Sequence, residues 1–139
     1  MKINSQSPNQ NTEKISNFST PKNKIFDLEE RTALFGEEII KFSRKIPRSP
    51  TTISLISQLV RSGTSVGANY LEADDSESKK DFIHKISICR KESRETKHWL
   101  RMVAISEPNL KDDARKLWRE AQELNLIFST IVRKKKEQI

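Results

Sequence analysis

The sequence predicts an all-α protein, an antiparallel up-down-up-down four-helix bundle. Three observations lead there. Apolar residues recur at alternating steps of three and four through four long stretches, the spacing of one buried stripe per helix. Short breaks built from proline, serine and acidic residues separate the stretches, which makes consecutive helices antiparallel neighbours. Three glycines among 139 residues are too few for a turn-rich β protein or a glycine-lined phosphate loop, and no period-two run persists.

Residues 1–25 are rich in Asn, Ser, Gln and Lys, with Ile3, Ile15 and Phe18 as isolated apolar points. Such a segment buries too little to offset its ordering entropy, so it reads as a disordered tail. The bundle domain is expected over 26–136. Helix one begins near Asp27, an N-cap with Glu29 and Glu30 in the first turn, where the macrodipole favours acids. Its stripe is Leu28, Thr32, Phe35, Ile39, Phe42 and Ile46. Pro47 and Pro50 end it, because the residue before a proline is pushed out of the helical region.

Helix two is expected from about Thr51 to Ala73, with the stripe Ile53, Ile56, Val60, Gly63, Gly67 and Tyr70. Each interior glycine costs about 1 kcal/mol against alanine, a loss that close approach of a neighbouring helix can offset. An anion site at those amides is the weaker reading, since interior helical amides are already bonded. Asp74 to Ser78 forms an acidic link, with Ser78 or Ser76 as the next cap.

Helix three runs from there to about Ile105, roughly 40 Å at 1.5 Å per residue. One side carries Phe82, Ile86, Cys89, Ser93, Thr96, Leu100 and Val103. The opposite side carries Lys80, His84, Ser87, Lys91, Arg94, His98 and Arg101, with no acid among them. Glu107, Pro108 and Asn109 make the last break. Helix four follows from about Leu110 to Arg133 with the stripe Ala114, Leu117, Ala121, Leu124, Phe128 and Ile131. Arg133–Lys136 then places cations at a helix C-terminus, where they suit the macrodipole.

The formal charge is +7 and the pI about 9.6, and the excess is local. Residues 78–106 carry eight Lys and Arg against three Asp and Glu, while residues 50–77 carry one against four. Cations grouped on one surface can act on a polyanion together, so this clustering says more than net charge. A merely solvated face would more often interleave acids for pairing one turn apart. The stripe lacks interleaved aromatics, so it favours contact with phosphate over stacking on bases.

Other chemistries fit poorly. Dinuclear metal sites in bundles draw a Glu-x-x-His pair from each of two helices. Here Glu95-x-x-His98 and Asp81-x-x-His84 share helix three, about 21 Å apart along it, and both histidines face outward. The arginine, four to six residues, histidine pattern of some α-helical ribonucleases is also missing: Arg94 and Arg90 are separated from His98 by three and seven residues. Cys89, the single cysteine, sits in the apolar stripe and reads as a core thiol. Glu92 and Glu95 read as partners of Arg or Lys from an adjoining helix or subunit. Trp99 and Trp118 read as closing stripe edges or a subunit interface. The chain is therefore read as non-enzymatic, with no cofactor and no metal, and with no apolar run long enough to span a bilayer. The absence of a secretory signal core places it in the cytoplasm.

Two segments in order, Arg61-Ser-Gly-Thr-Ser-Val-Gly-Ala-Asn-Tyr-Leu-Glu-Ala73 and Lys80-Asp-Phe-Ile-His-Lys-Ile-Ser-Ile-Cys-Arg-Lys-Glu-Ser-Arg-Glu-Thr-Lys-His-Trp-Leu-Arg101, closely resemble the four-helix bundle proteins encoded in intervening sequences of bacterial 23S rRNA genes. The resemblance covers roughly residues 26–133. That family is similar in fold to the accessory variability protein of diversity-generating retroelements, whose basic homopentameric barrels contact nucleic acid and a reverse transcriptase. The resemblance implies a ring-forming, non-enzymatic bundle. It also implies that Arg61, Asn69 and Glu72, with Glu92, Glu95 and Trp99, are packing or subunit-contact residues; Gly63 and Gly67 join them as close-packing positions. Lys80, His84, Lys91, Arg94, His98 and Arg101 are the expected nucleic-acid contacts, with RNA or DNA as partner. A homo-oligomer, a pentamer by the resemblance, is expected; the alternative reading is a protein-interaction adaptor, for example for a reverse transcriptase or another nucleic-acid enzyme.

Overall fold

Each helix starts where the chain supplies an N-terminal device or a break. The structure, a computed structural model, describes residues 27–138; the tail expected over 1–25 lies outside them. Four α-helices make up the fold: α1, Leu28–Ser43; α2, Pro50–Asp74; α3, Lys79–Ser106; and α4, Lys111–Glu137. A 3-10 turn, Pro108–Leu110, introduces α4. The all-α class and the bundle are as the sequence predicts.

One expectation about a helix start needs refinement. Asp27 occupies the N-cap of α1, but its side chain makes no capping hydrogen bond. The chain instead caps α2 fully. The Ser49 hydroxyl accepts from the Thr52 amide at 3.1 Å, and the Thr52 hydroxyl accepts from the Ser49 amide at 2.8 Å. Pro50 takes the first helical position, where its missing N–H costs nothing. At α3 the cap is Ser78, whose hydroxyl accepts from the Asp81 amide at 3.0 Å. α4 runs past Arg133 to Glu137, so three lysines lie in its last turn.

The expected stripes of α1, α3 and α4 form the core. Phe35, Ile39, Ile86, Leu100, Leu124 and Phe128 are sealed from solvent there. The stripe of α2 is corrected in part: Thr52, Leu59, Ser62, Gly63, Val66 and Ala73 are buried, and the expected Ile56 and Tyr70 pack half-buried against the core, whereas Ile53 is 57% exposed. Large apolar side chains at 53 and 60 point to the wrong phase. The true inward arc is lined by small hydroxyl residues whose polar atoms return to nearby backbone. Ser62 donates to Leu59 O at 3.3 Å; on the facing arc of α3, Thr96 donates to Glu92 O at 2.7 Å and Ser93 to Cys89 O at 2.9 Å. Local bonding of this kind lets Ser and Thr enter a core without an unpaired group.

Helices α1 and α2 cross closely. Gly63 stands against the Ile39 side chain, Gly67 against the Thr32 carbonyl, and Gly36 against Thr64. On the far side of α2, the Cys89 thiol of α3 reaches Val66 O at 3.5 Å. α4 packs along α3 and closes the ring of helices against α1. That last contact holds a buried ion pair: Arg31 Nε and Nη2 donate to Glu120 Oε2 and Oε1 at 2.7 and 2.8 Å. No described helix is long and apolar enough to cross a membrane.

Candidate nucleic-acid interface

Because α3 buries its seam between α2 and α4, the opposite stripe faces out. Lys80, His84, Lys91, Arg94, His98 and Arg101 are all exposed, with Ser87 half-buried between them. From Lys80 to Arg101 the stripe spans about 32 Å of helix axis. Among the described residues, none of the six carries an ion pair to a carboxylate. His98 packs edge-on against its neighbour Trp99, ring centroids 4.9 Å apart.

The stripe keeps one sign in its central part because Glu92 and Glu95 of α3 are used elsewhere. Glu92 and Glu95 lie on the flank facing α2, and Arg61 joins both: Nη1 is 3.3 Å from Glu92 Oε1, and Nη2 is 2.8 Å from Glu95 Oε1. The hydrogen bond Arg61 donates to Glu95 and the two negative charges raise the Arg61 pKa above its ordinary value, outweighing desolvation. Burial pushes Glu95 up, but the Arg61 hydrogen bond and charge outweigh it and hold the carboxyl below the usual range. The buried Trp99 indole nitrogen, one turn on and without a well-formed hydrogen bond, adds to that lowering. Further along the same flank, Lys85 Nζ meets Glu72 Oε1 at 2.7 Å, a bond that raises the lysine pKa. Pairing inward of this kind leaves the cations on the outer side without competitors.

The structure therefore brings together, within one chain, most residues expected at packing or subunit contacts. Arg61, Glu92 and Glu95 form one cluster, with Trp99 beside it. Glu72 pairs with Lys85. Asn69 Nδ2 donates to Ser65 O of its own helix at 2.9 Å. Gly63 and Gly67 face α1. Cys89 is sealed in the core, and burial pushes its thiol up to about 12, so it is an inert core group.

Further cations extend the stripe at both ends. Lys135 Nζ lies 5.4 Å from the Phe82 ring centroid, and Lys79 Nζ reaches Gln138 O at 3.5 Å. These contacts set the basic end of α4, Arg133–Lys136, beside the start of α3. At the other end, Arg101 shares a cleft with Lys111, Arg115, Trp118 and Arg119 of α4. Sequence reasoning missed this second group. Lys111, Arg115 and Arg119 do recur at steps of four, but only the pairing of α3 with α4 puts them next to Arg101.

The model of the family described as 23S rRNA-intervening sequence protein matches residues 26–130. The fold is similar to a crystal structure of a protein with unknown function from the S23 ribosomal protein family of Bacteroides thetaiotaomicron. The two chains are 28% identical, with a TM-score of 0.69 over 76% of this chain and 97% of that one. No curated protein matches the chain significantly.

Proposed function

The chain belongs to the 23S rRNA-intervening sequence protein family, and from that membership we propose a non-enzymatic, oligomeric bundle of the cytoplasm that binds RNA or DNA along the phosphate backbone with little sequence selectivity. The observation that carries this reading is the exposed, single-signed stripe from Lys80 to Arg101 with no carboxylate partner among the described residues. The name of the S23 ribosomal protein family, borne by the similar structure, favours RNA within the reading. Lys80, Lys91, Arg94 and Arg101 make the phosphate contacts; His84, His98 and Arg133–Lys136 assist. Backbone contact of this type is strongly salt-dependent, because each neutralised phosphate releases counterions. A homo-oligomer, pentameric by likeness to the accessory variability protein, repeats the stripe on every subunit and multiplies weak contacts. Titration of a generic RNA and a generic DNA at rising salt tests the reading, and absence of binding at low salt rejects it.

One observation favours a second reading, a protein-interaction adaptor for a nucleic-acid enzyme such as a reverse transcriptase. Ile105, 78% exposed, stands at the end of the basic helix, where an apolar contact would join a partner already attracted by charge. Co-purification of a partner that survives nuclease treatment separates this reading from the first.

A further inference from the structure

The cleft at the end of the stripe differs in kind from the stripe itself. It is an open cleft of about 340 Å³ between the last turns of α3 and the first turns of α4. Leu100, Ala104, Ala114 and Trp118 give it an apolar lining, and Arg101, Lys111, Arg115 and Arg119 surround that lining with four cations and no acid. Asp112 lies 3.9 Å from Arg115 Nη1, a marginal exposed pair. Trp118 is 37% exposed, yet its ring is held: Lys97 Nζ lies 5.0 Å from the ring centroid and is anchored in turn on Gln122.

An occupant of this cleft must present a small apolar face to Trp118 and a negative charge to the surrounding guanidinium groups. Three of the four cations are arginines, whose planar forks match phosphate. Arg101 also belongs to the stripe, so a phosphate run along α3 would lead directly into the cleft. We infer that the cleft takes one unpaired nucleotide of a single-stranded RNA or DNA, its base stacked on Trp118 and its phosphates held by Arg101, Arg115 and Arg119. A cavity above about 300 Å³ is in the range of small-ligand sites. A duplex cannot offer this group, because its bases are stacked within the helix. The inference rests on the backbone reading above and adds to it a preference for single strands. It also locates base contact beside the stripe, at a tryptophan from another helix, where the spacing of α3 alone offers none.

The test compares the full chain with Trp118→Leu and Trp118→Phe, using an oligouridylate of about 12 nucleotides and an RNA duplex of equal charge at one fixed low salt. Trp118→Leu should weaken the single strand about tenfold, the size of one lost base–aromatic stack, and leave the duplex unchanged. Trp118→Phe should restore most of the loss, and far-ultraviolet circular dichroism should show all three fully folded at the assay temperature. Equal effects on both probes, or no effect on either, overturn the cleft inference while the backbone reading stands. Failure of the unaltered chain to bind either probe overturns both. A fall in oligomer size for Trp118→Leu, with single-strand affinity kept, assigns the cleft to a second copy of the chain and overturns the inference.

Discussion

Gly63 meets Ile39 with no room for a side chain: a Cβ built on it would stand 2.9 Å from both Ile39 Cγ1 and Cγ2 and 3.1 Å from its Cβ. Those atoms lie near the backbone of a fully buried residue, so they cannot swing aside. Gly63→Ala gains about 1 kcal/mol of helix propensity but overpacks the crossing, which costs about 1–3 kcal/mol. Gly36 lies on the other helix of that crossing, yet the nearest atom to its built Cβ is Thr64 Cα at 3.6 Å, an ordinary contact. Urea melts should therefore show Gly63→Ala destabilised and Gly36→Ala stabilised by up to about 1 kcal/mol; the reverse order would show that the crossing is looser than described.

The buried pair of α1 and α4 is asymmetric under mutation. Arg31 and Glu120 are both largely sealed from solvent, so Glu120→Ala leaves the guanidinium with only the half-exposed Glu123 carboxylate, 3.8 Å from Nη2, and should cost about 3 kcal/mol, the low end for a broken buried pair. Replacing both ends, Arg31→Met with Glu120→Leu, should recover most of that, because an apolar pair of similar volume needs no desolvation of charge. Denaturant midpoints of the single and double variants measure the difference.

The Arg61–Glu95 contact predicts a pH dependence of known sign. Glu95 titrates lower in the fold than its ordinary 4.5, so its contribution is present above that value and fades as pH falls through the folded-state value. As pH falls below the ordinary value of 4.5, the unaltered chain should lose stability faster than Glu95→Gln. Arg61 is 45% exposed, so solvent screening keeps the difference under about 1 kcal/mol. Parallel slopes for the two proteins would remove this contact from the account.

Cys89 should resist alkylation in the native state. Its thiol is fully buried and pushed up to about 12, so the thiolate that attacks iodoacetamide is scarce. Labelling followed by mass spectrometry should be slow in buffer and rapid once denaturant unfolds the chain. Rapid labelling of the folded protein would mean that the α2–α3 seam opens locally.

The fold was legible wherever large apolar residues mark the buried arc. Leu28, Phe35, Ile39 and Phe42 define α1 without ambiguity, and Ile86, Leu100 and Val103 do the same for α3. α2 was read partly out of phase because its inward positions include Thr52 and Ser62, which carry no hydrophobic signal, while Ile53 faces water; the expected Gly63 is buried. The Arg31–Glu120 pair joins residues 89 apart in the chain, each ordinary as a surface residue in its own helix. The stripe itself was readable, because it depends on one helix alone. The cleft was not: it depends on how far α4 slides along α3, which periodicity does not set.

The central claim is that the outer face of α3 acts as one polyanion-binding surface, and the salt dependence of affinity tests it most directly. Four permanent cations predict a slope of log affinity against log salt of about −3 to −4. Replacing Lys91, Arg94 and Arg101 together with glutamine should make that slope shallower by about 2 to 3, with the thermal midpoint unchanged because all three side chains are exposed. A triple variant that binds RNA with the slope and affinity of the unaltered chain would contradict the account.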